Sequence, residues 1–251
     1  MTGTTSPWAV LRARRADAPT RLYCFPHSGG SPGEYIRWAQ RLPRTEVLGI
    51  QLPGRGSRLA EKPFTAVPDV VSALVSEFTF DEPFVFFGHS LGALLAFDTA
   101  RELRARGLPC PSRLVLSACT PPHHGLQRAP IHALPDEDFL DAVSEQFGGL
   151  PPAIRSEPEL LGLVLPAYRA DLEMFERYEY LPDEPLPHPM TVVGGADDYI
   201  PPALLADWQR YTTGGFDLHT LPGGHFYLRD EPAQEQLLRV LARHLEEGVA
   251  A

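Results

Sequence analysis

Six short apolar runs punctuate the chain, and longer amphipathic stretches separate most of them. Residues 21–25, 47–52, 84–87 and 113–118 read as strands, with 190–194 and 217–221 following after a long interval. Their apolar character is continuous rather than alternating, as expected of parallel strands covered by helices on both faces. Helical periodicity occupies 34–42, 69–78, 91–106, 203–211 and 231–247. In the third of these, Leu94, Phe97 and Leu103 mark the apolar stripe, while Arg101, Arg104 and Arg106 gather near the C-terminal end, where they complement the helix dipole. Strand–helix alternation predicts an α/β fold with an open, mostly parallel, doubly wound sheet and right-handed crossovers. No internal repeat of solenoid period is present.

The rhythm breaks between Cys119 and Met190. Pro121, Pro122, Pro130, Pro135, Pro151, Pro152, Pro158, Pro166 and Pro182 divide a stretch otherwise rich in helix formers, which predicts several short helices. Leu161, Leu165, Tyr168, Leu172 and Phe175 recur at helical spacing, and Arg169, Glu173 and Arg177 can pair at i, i+4. The expected organisation is one domain over 1–251 with a helical insertion at 120–189. Its apolar stripe either packs on the main core or forms a lid that also lines an apolar pocket.

Composition narrows the partners. The chain has 251 residues, 22 Lys+Arg against 32 Asp+Glu and a net charge of −10, which excludes the basic field of a nucleic-acid binder. No apolar run approaches the length of a membrane span, and the first residues lack the apolar segment of a secretory leader. Cys24, Cys110 and Cys119 show no paired or zinc-type spacing; Cys24 and Cys119 lie in apolar runs and read as small core residues. The expectation is a soluble cytoplasmic protein, monomeric, away from membranes. The 27 prolines and 21 glycines are dispersed, so they mark turns rather than a linker.

The candidate chemistry begins at Gly88-His89-Ser90-Leu91-Gly92, a G-x-S-x-G run between an apolar strand and a helix. That context is a nucleophile elbow, where a strained turn exposes the Ser90 hydroxyl at a helix N-terminus and leaves no room for side chains at the flanking glycines. A serine needs a base, and His225 lies in the Gly-rich loop after the last strand. The acid should follow strand 190–194, where Asp197 and Asp198 both stand. Asp197 is favoured because it completes a G-x-x-D-x-x-[hydrophobic]-P pattern; Asp198 is the alternative, with helix capping as its other role. The oxyanion donors expected are the backbone N–H groups of Leu91 and of Ser28, the latter in Phe25-Pro26-His27-Ser28-Gly29-Gly30. His27 reads as a residue holding that turn. His123 and His124 have no third ligand at sequence spacing, so no metal is expected.

Together these residues resemble the type II thioesterases that accompany modular polyketide synthases and nonribosomal peptide synthetases. The resemblance spans nearly the whole chain and rests on Cys24 to Gly30, Gln51-Leu52-Pro53-Gly54-Arg55-Gly56-Ser57-Arg58, the Ser90 elbow, Leu165-Pro166-Ala167-Tyr168-Arg169-Ala170-Asp171, Gly194 to Asp198 and Gly223-Gly224-His225-Phe226. Ser28, Leu91 and Tyr168 stand where that family more often has Ala, Met and Leu. The resemblance implies an α/β-hydrolase fold and a lid formed by the helical insertion. It implies a Ser90–His225–Asp197 triad that hydrolyses acyl groups from the phosphopantetheine thioester of acyl or peptidyl carrier proteins, clearing stalled or mis-primed assembly lines. No cofactor is implied, because the substrate brings its own phosphopantetheine. His27, Tyr168, Leu172, Phe175 and Phe226 are the expected substrate-binding side chains. A chain-terminating fatty-acyl thioesterase and a small-molecule carboxylesterase are the alternatives on the same fold. Carrier docking by so acidic a chain calls for a local basic patch, for which Arg55, Arg58, Arg169 and Arg177 are candidates.

Overall fold

The computed structural model describes residues 6–126, 128–147, 150 and 152–247. Seven strands form one sheet in the order β1-β3-β2-β4-β5-β6-β7: β1 (Ala9–Leu11), β2 (Thr20–Phe25), β3 (Thr45–Ile50), β4 (Phe84–His89), β5 (Arg113–Ser117), β6 (Met190–Gly195) and β7 (Phe216–Leu221). All neighbours pair in parallel except β1, an antiparallel edge strand on β3. The six strands expected from apolar runs are therefore present. β1 was not expected; three half-buried residues are too few to show a period.

The strands alternate between two cores. Tyr23, Phe25, Phe84 and Phe86 face a layer built on α2 (Val67–Glu77), α3 (Leu91–Ala105) and α7 (Pro202–Ala206), whereas Leu22, Cys24, Val85 and Phe87 face α1 (Pro32–Tyr35) and α8 (Glu231–Glu247). Cys24 and Cys119 are buried, as their apolar neighbours suggested. Leu94, Phe97 and Leu103 of α3 are buried on the first side, and Leu237, Leu238, Leu241 and Leu245 of α8 on the second. Burial of apolar area on both faces is the main stabilising term, at roughly 25 cal/mol per Å² removed from water. Two expected helices are shorter: 34–42 resolves into α1 plus a 3-10 turn (Ile36–Gln40), and 203–211 into α7 plus a 3-10 turn (Asp207–Tyr211).

Between β5 and β6 the chain forms α4 (Asp136–Phe147), α5 (Pro152–Arg155) and α6 (Pro158–Glu176). These helices carry a small core of their own, made of Ile131, Phe139, Val143, Leu165, Tyr168 and Leu172, while Met174 joins the main core. Pro166 lies inside α6, where it removes the hydrogen bond to the carbonyl four residues earlier. That carbonyl belongs to Gly162, which is exposed, so water can satisfy it. Arg177 pairs with Glu173 at 2.5 Å as its spacing suggested. Arg169 instead reaches Asp136 and the carbonyls of His132 and Leu134, tying α6 to the segment that enters α4.

Candidate active site

The site lies where β2, β4, β6 and β7 end. Ser90 follows β4 with φ 55° and ψ −121°, a conformation rarely adopted by L-residues, and its N–H donates to the Ser117 carbonyl at 2.8 Å. The flanking glycines are required by contact. A Cβ on Gly88 would lie 2.1 Å from the Gly92 carbonyl oxygen, and one on Gly92 would lie 2.1 Å from that of Phe25. The elbow is thus wedged against the end of β2, and Leu91 opens α3 with an N–H that has no intrahelical acceptor.

His89, the variable residue of the elbow, is fully buried; its Nδ1 bonds the Ser117 hydroxyl at 2.7 Å, which bonds Tyr227 at 2.6 Å. Desolvation, with neighbouring His225 and His27, holds its imidazole well below the ordinary range, so it stays neutral.

His225 sits in the loop after β7, 8% exposed, with the Tyr199 ring stacked on it at 5.3 Å and Phe226, Phe147 and His89 around it. Its Nδ1 lies 3.1 and 3.2 Å from the two oxygens of Asp198, whose side chain is 1% exposed. With a carboxylate as acceptor, Nδ1 carries the proton and Nε2 keeps its lone pair. Nε2 is buried and has no hydrogen-bond partner among the described residues.

The expectation that Asp197 is the acid is therefore corrected. β6 runs through Gly195, one residue beyond the apolar run, and turns there, with the Asp198 N–H donating to the Gly195 carbonyl. The Asp197 N–H is committed to the Gly223 carbonyl at 2.9 Å and the residue is exposed. One residue of strand shifts which aspartate faces the histidine. The capping role weighed for Asp198 is absent too, since α7 has Pro201 at its N-cap and no side-chain cap.

Ser90 and His225 line one cleft with His27, Ser28, Phe147, Tyr168, Leu172, Phe175 and Phe226. All five expected substrate-binding side chains are in this set. The cleft measures about 10 Å³, room for about one water molecule. Beyond it lies a chamber of about 510 Å³ under α6, whose lining includes Leu59, Leu150, Ile154, Leu160, Leu163 and Val164. His27, Ser28, Tyr168 and Phe226 belong to both spaces. The Tyr168 ring is packed so closely on Gly29 that a Cβ there would lie 2.8 Å from it, and it meets Phe139 edge-on at 5.8 Å.

The loop after β2 is held from three directions. The Gly29 N–H donates to Asp171 at 2.8 Å and the Gly30 N–H to the His27 carbonyl at 2.8 Å, which removes both from the candidate oxyanion donors. His27 places Nδ1 2.9 Å from the Ser28 carbonyl, and its Nε2 lies 3.1 Å from both Glu34 and Arg229. Burial would raise the Glu34 carboxyl, but hydrogen bonds from His27 and Arg229 outweigh it and lower it to about 2. His27 thus holds the turn, as its place in the sequence suggested.

Arg55 and Asp171, 116 residues apart, form a buried bidentate pair at 2.6 and 2.7 Å, and Arg55 also donates to the Gly30 carbonyl. This pair ties α6 to the loop beside Ser90. It also corrects the expectation of a basic patch near the pocket mouth for two of its four arginines, while the Arg177 side chain is 68% exposed. Arg55 and Arg58 are buried, the latter bonding Glu61 and the Gln51 carbonyl and lying over the Trp8 ring at 4.1 Å. Both arginines and Asp171 lie in runs that the sequence singled out, yet their structural partners could not be read there.

A serine on a strand–turn–helix elbow, sharing a cleft with a histidine oriented by a carboxylate at the C-terminal edge of a mostly parallel sheet, defines a serine hydrolase of α/β-hydrolase architecture. Comparison with known proteins is more specific. The sequence model of the Thioesterase domain family matches residues 20–245, and the chain belongs to that family. It is 37% identical over 223 residues to thioesterase PikA5 of Streptomyces venezuelae, covering 86% of this chain and 78% of that one. It is 34% identical over 225 residues to the gramicidin S biosynthesis protein GrsT of Aneurinibacillus migulanus, covering 88% of each. Among solved structures, RedJ, a thioesterase from the prodiginine biosynthetic pathway in Streptomyces coelicolor, superposes with a TM-score of 0.81 at 39% identity over 91% of each chain.

Proposed function

We propose that the enzyme hydrolyses acyl groups held as phosphopantetheine thioesters on carrier proteins of a polyketide or nonribosomal peptide assembly line. The single observation that carries the chemistry is the Asp198–His225 pair, which leaves the His225 Nε2 lone pair in the same cleft as Ser90. That GrsT is named for gramicidin S biosynthesis and RedJ for the prodiginine biosynthetic pathway supports the substrate class.

In the first half-reaction, Nε2 takes the Ser90 proton as Oγ attacks the thioester carbonyl, and Asp198 stabilises the imidazolium. The N–H of Leu91 and that of Ser28 hold the oxyanion; commitment of the Gly29 and Gly30 N–H groups elsewhere supports Ser28. Collapse breaks the C–S bond, and the pantetheine sulfur leaves as the thiol with the proton from His225. In the second, His225 takes a proton from water as the hydroxyl adds to the acyl-enzyme, then returns it to Ser90 as the free acid departs.

The helices over the cleft act as a lid. With room for only about one water beside Ser90, Tyr168 or Phe175 must turn aside to admit an acyl group. Tyr168, which lines both spaces, acts as the partition between the chamber and the nucleophile in this reading, which favours small acyl groups over the long chains of a fatty-acid chain terminator. Among the described residues no helix is long and apolar enough to cross a membrane, and the three cysteines are free, which suits work beside cytoplasmic synthases. The test is kcat/KM on an acyl-carrier protein against that on a simple ester of the same acid. A preference for the carrier thioester supports the reading, and a strong preference for the free ester overturns it.

A further inference from the structure

The fold brings Asp207 to His123 and to His124, the latter 83 residues away in the chain. The three groups lie outside the site described above, at the junction where the chain leaves β5 for the lid. The Nε2 of His124 is 2.8 Å from the Asp207 Oδ2, and that of His123 is 3.8 Å from the same oxygen. A tetrahedral divalent ion with bonds of about 2.0–2.1 Å wants its ligand atoms about 3.3 Å apart, a value these two separations bracket. One ligand atom from each of the three residues falls within 4.8 Å of the others, and all three side chains are partly open to solvent.

The surroundings are arranged as a ligand set requires. Tyr211 bonds the Nδ1 of His123 at 2.8 Å, so with Nδ1–H donating to the phenol oxygen, Nε2 presents its lone pair toward Asp207. Arg210 takes the other carboxylate oxygen at 3.5 Å, leaving Oδ2 on the histidine side. The two segments are already docked, because the buried Trp208 indole N–H donates to the Cys119 carbonyl at 2.7 Å.

We infer that His123, His124 and Asp207 bind a zinc-class divalent cation, with water completing the shell, and that the bound ion staples the start of the lid segment to the turn after α7. Two imidazoles and one carboxylate suit Zn²⁺ and neighbouring transition ions rather than Mg²⁺ or Ca²⁺.

The experiment is calorimetric titration of the tag-free, chelator-treated full chain with Zn²⁺, with Mg²⁺ as the control and thermal unfolding in parallel. One Zn²⁺ per chain, no Mg²⁺ heat, and a Tm rise of about 5–10 °C at Zn²⁺ a hundredfold above Kd are expected. Asp207→Asn and the double variant His123→Ala/His124→Ala should each weaken Zn²⁺ at least tenfold and lose the Tm rise. Their ester hydrolysis without zinc should match wild type, which also reports that they fold. Absence of Zn²⁺ binding by the wild type, or binding that survives in either folded variant, overturns the site.

Discussion

The carboxylate of Asp198 lies 3.1 Å from the Nδ1 of His225, and the carboxylate one residue earlier belongs to an exposed side chain. Asp198→Asn should therefore lower kcat by roughly 10⁴-fold, because an amide cannot hold the imidazole in the tautomer that leaves Nε2 basic. Asp197→Asn should stay within about threefold of wild type, as a surface substitution away from the relay. Steady-state hydrolysis by the two variants checks this, and equal losses would remove the assignment.

The elbow glycines give a stability contrast. Gly88→Ala places a methyl within 2.1 Å of backbone that cannot retreat, so a loss above about 4 kcal/mol or failure to fold is expected. Gly162→Ala, on the exposed side of α6 with nothing within 4 Å of the added Cβ, should stabilise by about 0.5–1 kcal/mol. Denaturant melts of both variants test whether contact, rather than glycine content, is what matters.

Tyr168 should set acyl length. Tyr168→Ala removes the ring between the Ser90 cleft and the 510 Å³ chamber, and should raise the octanoyl-to-acetyl ratio of kcat/KM by roughly tenfold or more. Tyr168→Phe keeps the ring and should leave the ratio near wild type. An unchanged ratio in the alanine variant would show that the two spaces are not one acyl path.

Glu34 contributes to the acid limb of stability. Its carboxyl is held at about 2 against an ordinary 4.5, so the contribution is fully present above about pH 5 and is lost as pH falls toward 2. Unfolding free energy measured across that range should fall less steeply in Glu34→Gln than in wild type. Parallel slopes would contradict the role of the His27–Glu34–Arg229 cluster.

How far the sequence reaches is visible in particular residues. Phe84 to Phe87 form a buried strand and Ser90 an elbow because apolar runs and paired glycines are local signals, carried by neighbours within a few residues. Asp198 rather than Asp197 depends on where β6 stops, and its Gly194-Gly195 exit gives no side-chain pattern to mark that end. The Arg55–Asp171 and His124–Asp207 pairs join positions 116 and 83 residues apart. No periodicity carries such pairings, which only the topology of the sheet brings about. Arg55 and Arg58 looked available for docking because charge in a sequence carries no burial; Arg55 is instead matched by the buried carboxylate of Asp171, and the buried Arg58 guanidinium by the exposed carboxylate of Glu61.

The central claim is covalent hydrolysis of a carrier-bound thioester by Ser90. Its most direct test is intact-protein mass spectrometry of an acyl-carrier protein incubated with wild type and with Ser90→Ala. Wild type should return the carrier to its free-thiol mass while the variant leaves the acyl group in place. An acyl-carrier untouched by wild type, or cleared equally by Ser90→Ala, would contradict it.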